Sequence, residues 1–215
     1  MNTDFVRQQM VRQQVRVCDV FNQDVLNVLG SVAREHFVPA GCEDVACADT
    51  EIPLPHGQVM LRPTIVGRLL QALALDAGDQ VLEIGTGSGF LTACLARMSA
   101  SVSSIDIHEE FIAAASQNLE TAEIQNATVK CMDAMAELPG GAFDAIAVTG
   151  SVPRIDERFV AALKPGGRLF LVVGESPVMS ALLITHDGDK LQQRSLFETD
   201  IPRLENLAEE SVFSL

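Results

Sequence analysis

Val81-Leu82-Glu83-Ile84-Gly85-Thr86-Gly87-Ser88-Gly89 is the stretch whose reading decides the fold. Three aliphatic residues around one acid read as a short strand. Three alternating glycines then allow the backbone to turn tightly and to lie close to a ligand. Phe90 to Met98 resumes at once as a helix. A strand, a glycine-rich turn and a helix place that turn at the carboxyl end of a strand, where open α/β sheets bind their ligands.

The pattern repeats downstream. Ser101 to Ile105 is a second strand ending at Asp106, and Glu109 to Glu120 a helix with acids in its first turn, as the helix dipole favours. Ala127 to Met132 is a third strand ending at Asp133, and Phe143 to Val148 a fourth. Arg154 to Leu163 reads as a helix stopped by Lys164-Pro165-Gly166-Gly167, before a fifth strand from Arg168 to Val173. Strands alternating with helices predict a mostly parallel sheet covered on both faces, a Rossmann-like doubly wound α/β fold. The continuous apolar run Ala145 to Val148 suits a sheet buried on both sides. Ala181 to Thr185 and Leu191 to Phe197 flank Asp187-Gly188-Asp189, a turn signal that predicts an antiparallel C-terminal hairpin.

Upstream lies a small helical cap. Val6, Met10, Val11, Val15 and Val17 give a loose helix, and Val25, Leu26, Val28 and Leu29 a second one ended by Gly30. Phe37-Val38-Pro39 and the polar run after it read as irregular. Pro63 opens a further helix carrying Ile65, Val66, Leu69, Leu70 and Leu73. The expected organisation is one domain, with residues 1–62 as cap and acceptor-side loop and residues 63–215 as core.

Composition narrows the function. A chain of 215 residues, 47% apolar and 20% charged, is expected to be soluble and globular, with a sizeable core. No run of about 18 apolar residues is present, so no membrane-spanning helix is expected. The polar, Gln/Arg-rich N-terminus lacks the apolar core of a signal peptide, which predicts a cytoplasmic protein. A net charge of −14 repels phosphate backbones and argues against a nucleic-acid partner. Arg7, Arg12 and Arg16 read as one solvated helix face. Five cysteines without a CxxC pair predict free thiols, and Cys42, Cys47, His36 and His56 match no zinc spacing. His108 and His186 stand isolated, without a ligand or triad signal.

Three acids mark out a nucleoside pocket. Glu83 lies just before the first glycine, Asp106 closes the second strand where ribose hydroxyls would donate, and Asp133 closes the third where an adenine amino group would. The glycine spacing is G-x-G-x-G, with Phe90 where a dinucleotide fingerprint has its third glycine. A bulky side chain there disfavours a pyrophosphate at the helix terminus, and so a nicotinamide or flavin cofactor.

This loop resembles motif I of class I S-adenosylmethionine-dependent methyltransferases. The resemblance implies S-adenosylmethionine as cofactor. It implies a binding set of Glu83, Gly85, Thr86, Gly87, Ser88, Gly89, Asp106, Ile107, Asp133, Ala134 and Thr149. Val81 to Ala93, Phe143 to Thr149 and Leu163 to Leu169 are similar to protein-L-isoaspartate O-methyltransferases in particular. So are Arg34-Glu35-His36-Phe37-Val38-Pro39, Ala48-Asp49 and Gly57-Gln58 in the cap, which other methyltransferases do not share. One departure matters. The family reads G-Q-T-I-S-x-P where this chain has Gly57-Gln58-Val59-Met60-Leu61-Arg62-Pro63, so Leu61 stands in place of the serine taken as catalytic. Phe197 to Pro202 departs from the usual tail as well.

Gln58, Arg62 and His56 are the candidates to replace the lost hydroxyl, Arg62 by a charge-assisted contact to a carboxylate. Three functions fit. The first is esterification of a carboxylate in damaged proteins or peptides. The second is transfer to a different, small-molecule acceptor, favoured by the apolar Met60 and Leu61. The third is a non-catalytic cofactor-binding module. A Leu61 side chain turned inward, with no polar group nearby, weighs against the first.

Overall fold

A computed structural model describes residues 3–188 and 190–207. Met10 and Val15 are both fully buried although five residues apart, a spacing that a regular α-helix sends to different faces. The chain reconciles them by passing from helix α1 (Thr3–Met10) into a π-helical turn (Val11–Val15) and a 3-10 turn (Arg16–Cys18). The single helix expected over Val6 to Val17 is therefore three helical forms in succession. Arg7 does not share a solvated face with Arg12 and Arg16. It is buried, donates to the Gly30 carbonyl and pairs with Glu35 at 2.8 Å and with Asp4, because the turn of α1 points it at the second helix. Helix α2 (Gln23–Ser31) starts at Asn22, whose side chain accepts from the Asp24 and Val25 amides.

Strands β1 (Ile52–Pro53) and β2 (Val59–Met60) form a two-residue hairpin that hydrophobic alternation is too short to reveal. Its turn places His56 and Gly57 at positive φ, 57° and 69°. Helix α3 (Pro63–Leu73) follows directly. Its first turn is capped from a distance: Asp49 accepts from the Thr64 amide at 3.2 Å and the Thr64 hydroxyl at 2.7 Å.

The core then alternates as expected: β3 (Gln80–Ile84), α4 (Phe90–Ala96), β4 (Ser101–Asp106), α5 (Glu109–Thr121), β5 (Ala127–Cys131), β6 (Phe143–Val152), α6 (Glu157–Ala161), β7 (Leu163–Glu175), β8 (Val178–Asp187) and β9 (Lys190–Thr199). The sheet order is β5-β4-β3-β6-β7-β8-β9. The strands from β5 to β7 are parallel, and β8 and β9 are antiparallel, which gives the mostly parallel doubly wound sheet and its C-terminal hairpin. The hairpin turn includes Asp187 and Gly188; Asp189 lies outside the described residues.

Side-chain alternation divides the core. Val81, Ala145, Ala147, Phe170 and Val172 pack on the side of α3, α4 and the cap. Leu82, Ile84, Ile146, Val148, Leu169 and Leu171 pack on the other side with Phe159 of α6. The chain winds outward from β3 to β5 and then returns to β6, so a crevice opens between the carboxyl ends of β3 and β6.

Two boundaries differ from expectation. The helix expected over Arg154 to Leu163 is confined to Glu157–Ala161, because Asp156 caps it and Leu163 already pairs with Phe143. Lys164-Pro165-Gly166-Gly167 is a bulge inside β7 rather than a stop: pairing resumes at Arg168 opposite Ala145. Pro165 has no N–H for the ladder, and Gly166 takes a φ of +81°.

Gly67 gives a test of the cap's packing. A Cβ there would lie 2.8 Å from Val15 Cγ1 and 3.2 Å from Val20 Cγ2, both on fully buried, stiff side chains. Helix propensity favours alanine over glycine by about 1 kcal/mol, whereas overpacking a filled core costs about 1–3 kcal/mol. Gly67→Ala is expected to lower the urea midpoint. An unchanged or raised midpoint would show that the cap can slide off α3.

Candidate functional site

The glycine loop leaves β3 beside Thr149, the residue at the equivalent level of β6. Gly85 has a φ of +97°, and a Cβ on it would lie 2.1 Å from Thr149 Oγ1. The Thr149 hydroxyl approaches the carbonyl oxygens of Gly85 at 2.8 Å and Ile84 at 3.0 Å. The two strands therefore meet at the crevice through a contact that only glycine permits.

Beneath this loop Glu83 is fully buried. The hydroxyls of Thr92 on α4 and Ser104 on β4 both donate to its Oε2, and Ser104 is bonded to Thr86 Oγ1 at 2.6 Å. Its Oε1 has no partner. Burial pushes the Glu83 carboxyl up to about 8 against the pull of the two hydroxyl donors, with nearby Asp106 adding to the rise.

A cleft opens at the crevice. Gly85, Gly87, Asp106, Ile107, Asp133, Ala134, Thr149 and Gln58 all line it, so the structure gathers these sequence-read residues around one space. Asp106 is held by the backbone: Oδ2 accepts from the Gly87 amide at 2.9 Å and Oδ1 from the His108 amide at 3.1 Å. Asp133 Oδ1 accepts from the Met135 amide at 2.8 Å, and its Oδ2 from the Asn206 side chain at 2.9 Å.

The residues after β9 form a strap along the cleft that sequence reasoning did not anticipate. Pro202, Arg203, Leu204 and Glu205 line it. Glu205 Oε1 is bonded to His108 Nε2 at 2.8 Å and accepts from Gln58 Nε2 at 3.2 Å; the His108 bond holds its carboxyl below the usual range. His108 is not isolated. Its ring stacks on that of His56 at 3.8 Å, both rings meet Phe111 edge-on, and His56 pairs with Glu110.

A second cavity, about 350 Å³, lies on the cap side of the loop. Glu83, Gly85, Thr86, Gly87, Ser88 and Thr149 line it together with Met60, Leu61, Phe90 and Arg34. It joins the cleft along Leu54, Val59, Gly85, Gly87 and Thr149. Leu61 is 7% exposed and turned into the cap-side core. Arg34, also missed as a site residue, is fully buried: Nε donates to the Ala46 carbonyl at 2.8 Å and Nη2 to the Leu61 carbonyl at 2.7 Å. Burial lowers its pKa to about 10, within the range that leaves it charged at neutral pH.

The remaining candidates sit apart. Gly89 lines neither cavity and stands at the start of α4. Arg62 is 3.6 Å from Glu51, half-exposed and away from both cavities, so it is not placed to replace a hydroxyl at residue 61. His56 lines neither cavity and touches the site through His108 and Phe111. Among the described residues no helix is long and apolar enough to cross a membrane.

Comparison with known proteins agrees with this geometry. The profile of the family described as protein-L-isoaspartate(D-aspartate) O-methyltransferase matches residues 6–200. A protein-L-isoaspartate O-methyltransferase of Koribacter versatilis is 34% identical over 191 residues, covering 88% of this chain and 86% of that one. One of Anaeromyxobacter sp. is 37% identical over 167 residues, covering 77% and 79%. The fold is that of a putative protein-L-isoaspartate O-methyltransferase from Plasmodium falciparum solved with S-adenosyl-L-homocysteine, with a TM-score of 0.82, 21% identity and coverage of 93% and 98%.

The buried acid makes stability depend on pH. Unfolded, Glu83 titrates near 4.5; folded, near 8. Between those values the folded state holds the proton that the unfolded state has lost, so this group's contribution to stability falls as pH rises and levels off above about 8. Glu83→Gln is expected to flatten the decline of Tm from pH 5 to pH 8 in thermal unfolding without added ligand. Parallel slopes for the two proteins would contradict the assignment.

Proposed function

The chain belongs to the protein-L-isoaspartate(D-aspartate) O-methyltransferase family, and from that premise we propose that it uses S-adenosylmethionine to methyl-esterify a carboxylate of damaged proteins. The observation that carries the cofactor assignment is the arrangement of the cleft. Asp106 ends β4 with both oxygens ordered by backbone amides, Asp133 lies just beyond the adjacent parallel strand β5 with one oxygen so ordered, and both face the same space as Gly85 and Gly87. That spacing suits a nucleoside, with Asp106 for ribose hydroxyls and Asp133 for the adenine amino group. Ile107 and Ala134 supply apolar walls, while Thr86, Ser88 and Gly89 shape the loop. The unpartnered Glu83 Oε1 becomes an acceptor when a bound cationic group favours the ionised form of this acid.

The cofactor, when bound, supplies a methyl group on a sulfonium. The residues of this chain have a limited task. An acceptor carboxylate, with a reference pKa of about 4, is already ionised at neutral pH, so no general base is needed. The loop of residues 57–62 and the strap position the acceptor and exclude water. Leu61 provides no hydrogen bond for this purpose. The buried Arg34 holds its carbonyl, Glu83, Thr86, Ser88 and Thr149 line the same cavity, and Gln58 lines the adjoining cleft.

A second reading, transfer to a different and less polar acceptor, is favoured by the wall of Leu54, Val59, Met60 and Leu61. Transfer of labelled methyl to an isoaspartyl peptide, against the aspartyl peptide, separates the two. Base-labile label on the isoaspartyl peptide alone is expected. Label on neither, in protein that binds the cofactor, would reject esterification of damaged proteins.

The loop's divergence has a measurable size. One hydroxyl aligned on the acceptor is worth about 1–3 kcal/mol, or roughly ten- to a hundredfold in rate. Leu61→Ser is expected to raise kcat/KM for the isoaspartyl peptide by that factor. A loss of activity would show that Leu61 itself packs against the acceptor.

A further inference from the structure

We propose that Arg34 is a specificity-determining residue that receives a carboxylate through Nη1, and that this carboxylate is the one on the amino-acid end of the cofactor. The inference rests on the reading of the cleft as an S-adenosylmethionine site. It starts from two unpartnered atoms. Arg34 Nη1 and Glu83 Oε1 are both buried without a hydrogen-bond partner. Both residues are fully buried, and both line the cap-side cavity. The other two such atoms among the described residues, on Gln14 and Glu35, belong to residues outside it. The lining of one cavity therefore includes a cation with an unused donor and an acid with an unused oxygen, which becomes an acceptor when a cationic group beside it favours the ionised carboxylate. Buried polar atoms are seldom left so, and the chemistry that satisfies both together is an ammonium beside a carboxylate.

The guanidinium is fixed. Nε and Nη2 are committed to the carbonyls of Ala46 and Leu61, and the group lies over the Phe90 ring at 4.7 Å. Among the described residues no carboxylate forms an ion pair with it. A buried cation with no carboxylate in direct contact, Asp49 acting on it only from a distance, and with Nη1 still free, selects an anion in a planar, charge-assisted contact. Leu54, Val59, Met60 and Leu61 belong to the apolar part of the wall, and of its three hydroxyls those of Thr86 and Thr149 are engaged with Ser104 and with the Gly85 and Ile84 carbonyls, which leaves Ser88 as the other side-chain donor. The cavity also joins the cleft at Gly85 and Gly87. A nucleoside anchored on Asp106 and Asp133 would direct its amino-acid end along this junction, towards Glu83 and Arg34.

The test is calorimetric binding to the full chain, with S-adenosylmethionine, its decarboxylated analogue and methylthioadenosine, which lacks the whole amino-acid end. The wild type is expected to prefer S-adenosylmethionine over the decarboxylated form by about ten- to a hundredfold. Arg34→Lys, which keeps the charge but loses the fixed planar fork, is expected to cut that preference to within about threefold. Affinity for methylthioadenosine should stay the same in both proteins. Each preference is a ratio measured on one sample, so a partly misfolded variant does not distort it. Equal binding of the two forms by the wild type overturns the proposal without any variant. A preference unchanged in Arg34→Lys, with a raised KM for the peptide, also overturns it and assigns Nη1 to the acceptor's carboxylate instead. Failure of the wild type to bind methylthioadenosine or S-adenosylmethionine would defeat the cofactor reading itself, which separates the two failures.

Discussion

A carboxyl group sealed inside the sheet organises everything around the site. Glu83 gathers a hydroxyl from α4 and another from β4 onto one oxygen, and through Ser104 it reaches Thr86 in the loop above. Three elements that meet at the carboxyl end of β3 are thereby pinned to one point. Burying such a group is costly unless it is well bonded, and here only half of its bonding capacity is used. The protein accepts that cost beside the glycine loop, where a polar ligand would need a partner. The Gly85–Thr149 contact fixes the same loop from the other strand, so its shape is set before any ligand arrives.

How much of this was legible follows from the range of the interactions. β3, β4 and β5 were readable because each is a short segment built around valine or isoleucine and closed or soon followed by a glycine or an acid, a signal contained in a few consecutive residues. Asp106 and Asp133 were readable for the same reason. The β1–β2 hairpin was not, since strands of two residues have no alternation to detect. The π turn at Val11–Val15 was missed because it answers a packing demand of α2 and α3 rather than a local preference. His108 looked isolated because its partners, His56 and Glu205, lie far away in the sequence. Arg34 was visible as part of a family-like segment. A lone arginine in irregular chain gives no sign that it will be sealed from solvent and bonded to two distant carbonyls.

Arg34 also explains how an apolar loop keeps its place. The segment from Val59 to Leu61 carries no side-chain hydroxyl with which to fix itself. Its position comes instead from the main chain: β2 pairs with β1, and the Leu61 carbonyl is clasped by the buried guanidinium. The buried Leu61 side chain adds its packing in the cap-side core to that backbone anchoring.

Asn206 donates to Asp133 Oδ2, the oxygen that no backbone amide holds. Were an adenine amino group to need that oxygen with the amide displaced, the chain would carry its own competitor for the nucleoside site. Being tethered, that competitor has a local concentration fixed by the length of the strap and indifferent to how much protein the cell makes. Apparent affinity for the cofactor is then the intrinsic affinity discounted by the fraction of molecules in which the amide has let go. Substitutions at residue 206 would therefore tune cofactor occupancy without touching any atom that takes part in methyl transfer.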